Sequence, residues 1–95
     1  SVSEVMLGYL KLLEILQSFG FLQKVLGKYS IKMKGSAMTP TADEIRDLKI
    51  KEFSNLLEKA ENLKEQFETF TKLDTALSEI CNDIKKSIDE ISDQE

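Results

Sequence analysis

From Phe53 to Ile91 the apolar positions Phe53, Leu56, Ala60, Leu63, Phe67, Phe70, Leu77, Ile84, Ile88 and Ile91 fall in one phase of three- and four-residue steps. Asp74 and Cys81 hold the two intervening places that are not plainly apolar. Alternating steps of this kind average about 3.5 residues and keep one stripe of an α-helix turned toward a partner helix. The pattern therefore predicts helices that need a helical neighbour.

The same spacing opens the chain, at Val2, Val5, Tyr9, Leu12, Leu16 and Phe19. A second apolar line runs through Met6, Leu10 and Leu13, with Ile15 near it, leaving Glu4, Gly8, Lys11, Glu14 and Ser18 as a polar strip. A helix apolar around most of its circumference has to meet neighbours on more than one side. This points to a bundle core, or to a surface that another chain covers. Ser1 and Glu4 have the spacing of a capping box. At Gly20 the phase slips, since Leu16, Phe19 and Leu22 are separated by two steps of three, before Leu22, Leu26, Tyr29 and Met33 resume the alternation. Such a slip overwinds or bends a helix, or marks a break with a second helix starting near Phe21. The end of this arm, YSIKMKG, reads as a fraying helix closed by Gly35.

Gly, Ser, Thr and the only Pro cluster in GSAMTPT, residues 35–41, which reads as a linker turn. Thr39 before Pro40, or Thr41 with Glu44, signals a helix start near residues 40–42, and Asp43 and Glu44 suit the positive end of its dipole. From there neither Gly nor Pro interrupts the chain. A single helix of about fifty residues would run ~75 Å, against ~50 Å for the N-terminal arm, at ~1.5 Å per residue. The mismatch favours a fold-back at TFTKLDT, residues 69–75, where three Thr and an Asp supply cap residues. Thr71 with Asp74 and Thr75 with Ser78 both have cap-like spacing. The unbroken phase across this stretch argues the other way, for continuity. The expected fold is thus all-α, an antiparallel helical bundle of three or four helices with heptad-like packing. The alternative is a long helical hairpin in an oligomeric coiled coil. Either way residues 1–95 form a single helical domain with arms 1–34 and 42–95 joined by 35–41.

Composition sharpens the class. The chain is 41% apolar and 32% charged with no Trp and no His, which fits long helices and excludes a disordered tail. A single cysteine excludes an intrachain disulfide, and Cys81 on the apolar seam reads as a small buried hydrophobe. A reducing, intracellular and cytoplasmic setting is the expectation. Lys11 and Glu14 interrupt the most apolar stretch, Val5 to Leu16, so no uninterrupted run reaches the roughly eighteen residues of a membrane span. Charge is uneven: residues 1–38 carry five Lys against two Glu, while residues 39–95 carry eight basic against fifteen acidic side chains. Opposite halves of this kind settle against each other in one fold.

Candidate chemistry is mostly excluded. Without His, with one Cys and one Arg and with no Gly-rich loop, the chain lacks the usual parts for acid–base, nucleophilic or phosphate chemistry, so no enzyme and no cofactor is expected. Metal is not expected either, because only helical carboxylates remain as ligands. The stripe Glu58, Glu61, Glu65 and Glu68 reads as a solvated face or a strip for basic side chains. Lys24, Lys28 and Lys32 beside Phe19, Phe21 and Tyr29 suit bundle flanks or an anionic membrane surface. Net negative charge and the lone Arg46 speak against nucleic acid. Asp74 reads as a cap if the chain turns there and as a register-fixing polar residue if it does not. Phe67 and Phe70 read as core. The function expected is that of a protein–protein interaction module, an adaptor, scaffold or assembly subunit, that binds another protein or itself. Its contact residues would be Val5, Met6, Tyr9, Leu10, Leu12, Leu13 and Leu16. A membrane-surface or lipid-binding amphipathic protein is the alternative.

Overall fold

The two arms fold into three helices, because the chain turns back at residues 67–70, at the leading edge of the stretch singled out for its cap residues. The structure, a computed structural model, describes residues 2–32 and 42–92, with side-chain surroundings for 3–25 and 43–92. Helix α1 spans Val2–Lys32, α2 spans Ala42–Gln66 and α3 spans Thr71–Ser92. These are 31, 25 and 22 residues long, close to the segments that a fold-back there implies. The arrangement is an all-α bundle and not a long helical hairpin. The linker caps at Thr39 to Thr41, Ser1 and the closure at Gly35 lie outside the described residues.

The α2–α3 turn closes on its own backbone. The Phe67 amide donates to both Leu63 O (3.1 Å) and Lys64 O (3.3 Å), and the Phe70 amide donates to Phe67 O (3.1 Å). The Asp74 amide then donates to Phe70 O at 2.8 Å, which makes Phe70 the cap residue immediately before α3. Thr71, expected as a cap, is already helical, and Thr75 Oγ1 donates back to Thr71 O at 2.9 Å as an interior helical threonine does. Asp74 sits in the first turn of α3, where its charge complements the helix dipole. Lys64 Nζ lies 3.3 Å from Asp74 Oδ1. That oxygen is buried with no donor aimed at it, so the pair acts through charge and not through a directed hydrogen bond.

Gly8 of α1 lies against Phe67 and Leu73, and Phe19 meets Phe53 edge-on with ring centroids 5.9 Å apart. As α1 runs forward, α2 therefore runs backward, and the order is up, down, up. The most extensive interface is between α2 and α3; α1 rests mainly on α2 and touches α3 least. The core comprises Leu12 and Ile15 of α1, Phe53, Leu56, Ala60 and Leu63 of α2, Phe67 of the turn, and Leu73, Leu77, Ile80, Cys81 and Ile84 of α3. Helical periodicity turns these onto facing stripes, and their burial holds the three rods together.

No break occurs at Gly20. The inner face of α1 is Gly8, Leu12, Ile15, Phe19 and Leu22, whose steps of four and three pass Gly20 without a slip. A Cβ at Gly20 would meet nothing within 4 Å. Gly20→Ala is therefore expected to stabilise the bundle by about 0.5–1 kcal/mol, through helix propensity alone. A urea melt checks this.

Candidate docking face

Helix α1 is the least amphipathic of the three and α3 the most. With only a narrow stripe of α1 seated on α2 and α3, the apolar residues on its remaining circumference face outward. Met6, Leu10 and Leu13 are 59%, 56% and 53% exposed, and Tyr9, Leu16 and Phe21 are exposed beside them. An isolated exposed leucine is ordinary; a contiguous row of them along one helix is not.

The residues expected to contact a partner divide in two. Met6, Tyr9, Leu10, Leu13 and Leu16 lie on the outer face. Leu12 belongs to the core at 6% exposure, and Val5 is half-buried at the edge. Leu7, which sequence reasoning did not single out, and Phe21, which it grouped with the Lys residues and not with the partner contacts, are both exposed and apolar and extend the face along a flank they share with Glu14. The seven-residue steps from Leu7 through Glu14 to Phe21 were the available signal.

Over Ser3–Val25 the helix is long and apolar enough to cross a membrane by length and composition, and within that stretch Gly8, Leu12 and Ile15 are buried in the bundle. Lys11 and Glu14 break the apolar run, as read from the sequence, without lowering its average below that of a span.

Among the described residues of α2 and α3 the exposed side chains are polar, apart from Leu48. Glu58, Glu61, Glu65 and Glu68 are all exposed, and Glu61 Oε2 lies 3.9 Å from Lys85 Nζ across α2 and α3. Lys28 and Lys32 lie outside the residues with described side chains. Phe67 and Phe70 pair at 5.9 Å in the turn, Phe67 buried and Phe70 partly so. No group of three or more potential metal ligands occurs among the described residues. The clefts along α1 are open grooves, one lined by Lys11, Glu14, Lys59, Asn62 and Gln66 over Ile15 and Leu63.

Cys81 is buried, and desolvation raises its thiol above the ordinary value of 9.0. Glu61 adds to the rise, and Lys85 and Lys64 oppose it. The folded state holds the thiol protonated, so its contribution to stability is complete below the ordinary value and is lost as the pH climbs through the raised one. A disulfide reagent at pH 8 is expected to label Cys81 at least about a hundredfold more slowly in the folded protein than in urea, because attack needs both exposure and a thiolate.

No protein-family model, curated protein or solved structure matches the chain.

Proposed function

We propose that this protein is a non-enzymatic helical interaction module in which α2 and α3 form a stable base that presents the outer face of α1 to a protein partner. The observation that supports this reading is the row Met6, Leu10 and Leu13, each more than half exposed on a helix whose opposite side is anchored in the core. Burying such a row on association removes apolar area from water at roughly 25 cal/mol per Å². A photocrosslinking residue at position 10, tested in cells, is expected to yield a protein adduct, whereas one at the exposed Glu65 is not. Absence of any protein adduct at position 10 would sink the reading.

The length and apolar character of Ser3–Val25 favour one further reading, in which the α1 arm, residues 2–34, lies on a bilayer with its Lys residues toward anionic lipid. Flotation with phosphatidylserine-containing vesicles at low salt tests it. Recovery of the chain in the vesicle fraction, with only lipid adducts at position 10, would establish the membrane in place of the protein partner.

A further inference from the structure

The three helices are not held equally. Between α2 and α3 lie the most extensive interface of the bundle, a turn closed by the backbone amides of Phe67, Phe70 and Asp74, and the ion pairs Lys64–Asp74 and Lys85–Glu61. Cys81 is buried on this seam, where its thiol feels the charges of Glu61, Lys64 and Lys85, all on those two helices. Helix α1 is the longest of the three, yet among the described residues it supplies the buried core with only Leu12 and Ile15. Its other inward positions are Gly8, which has no side chain to bury, and Phe19 and Leu22, which are half-buried. Its contact with α3 is the smallest in the bundle. Much of its apolar surface already faces water, and that part loses nothing when the helix moves.

We infer that α1 is a detachable latch: it lifts from α2 and α3 as one unit, while the α2–α3 hairpin stays folded, more readily than the whole chain unfolds. Opening free energies differ across a fold according to the buried apolar contact that each unit gives up. Lifting α1 gives up the seats of Leu12 and Ile15, the edge-on contact of Phe19 with Phe53, and the close approach of Gly8 to Phe67 and Leu73. The turn, the ion pairs and the Cys81 side of the α2–α3 seam stay in place. Complete unfolding gives up all of these as well, so it lies higher. The open form uncovers apolar surface that the closed form hides, namely the inner stripe of α1 and the side of the hairpin around Phe53, Phe67 and Leu73. A partner that engages either surface draws the equilibrium toward the open form. The latch stands apart from the docking reading above, because the outer face of α1 is exposed whether the latch is closed or open.

The test is amide hydrogen exchange of the whole chain, read residue by residue, with urea raised stepwise below the melting transition. It compares the helix centres, residues 12–19 of α1, 56–63 of α2 and 77–84 of α3. The α1 amides are expected to exchange at least about tenfold faster than the slowest amides of α2 and α3, with a shallower urea dependence, because lifting one helix exposes less surface than unfolding three. Cys81→Ser then separates a latch from a bundle that opens only as a whole. A hydroxyl buried in place of the thiol shifts the unfolding equilibrium by about tenfold. The seam that holds it stays closed when α1 lifts, so exchange at the centres of α2 and α3 is expected to rise about tenfold while that of α1 rises less than about twofold. Helical circular dichroism at each urea step confirms that the variant remains folded. Equal exchange and equal urea slopes in all three centres, or an equal response of all three to Cys81→Ser, would mean a single all-or-none opening and would overturn the latch. Exchange at the centre of α1 that is fast but independent of urea would be the fraying of single turns, and would overturn it too.

Discussion

Gly8→Val is expected to destabilise the bundle by about 2–3 kcal/mol, while Gly8→Ala stays within about 1 kcal/mol of the wild type. A Cβ at Gly8 would stand 2.5 Å from Leu73 Cδ2 and 3.0 Å from Cδ1 and Cε1 of the Phe67 ring. For alanine, the conflict is with the end of a leucine side chain, and the roughly 1 kcal/mol of helix propensity gained over glycine offsets the adjustment. Valine adds two methyl groups to the same space and so demands a larger shift of the fully buried Leu73 and of the Phe67 ring than alanine does. Overpacking of this sort costs about 1–3 kcal/mol, and Val recovers less propensity than Ala. The site is where α1 passes closest to the α2–α3 turn, so the strain falls on the anchorage of α1 itself. Urea denaturation measures the effect. A Gly8→Val protein as stable as the wild type would mean that α1 does not seat against Phe67 and Leu73.

The helices and their order were legible because a three–four spacing survives any choice of which apolar line faces inward. The fold-back was legible from the Thr and Asp clustered around it, whereas the linker expected at 35–41 lies outside the described residues. Which line faces inward was not legible on α1. Leu12 and Phe19 were placed on the same line as Tyr9 and Leu16, but the latter two are exposed, and the buried line runs instead through Gly8 and Ile15. Glycine carries no hydropathic signal, so Gly8 was grouped with the polar strip, and the false slip at Gly20 followed from the wrong line. On α3 the phase that seemed to run unbroken used Asp74 and Cys81. The buried line uses Leu73 and Ile80 as well, and Asp74 is only half-buried. Read through Leu73, the steps from Phe67 to Phe70 to Leu73 are both three, and the slip marks the true turn. A helix apolar on every side gives sequence reasoning no means of choosing its inner face; packing against α2 makes the choice.

That choice leads to a second result, in which two leucines respond oppositely to the same change. Leu77→Ala is expected to cost about 2–5 kcal/mol, since Leu77 is fully buried in the core and the lost methyl groups leave a cavity. A domain of this size has only about 5–15 kcal/mol to lose, so the variant would sit near the edge of folding at body temperature. Leu10→Ala, at an equally apolar position of the sequence, is expected to change the stability of the monomer by less than about 0.5 kcal/mol, because Leu10 already meets water. The same Leu10 truncation should weaken association through the outer face. Melts taken at low micromolar concentration isolate the fold, and the yield of protein adducts from the outer face in cells isolates the contact. If Leu10→Ala proved as destabilising as Leu77→Ala in the dilute melt, the outer row would be part of the core and α1 would be turned the other way. If Leu10→Ala left the melt unmoved but loosened association, one helix would be serving two interfaces, an inner one that holds the fold and an outer one that recruits a partner.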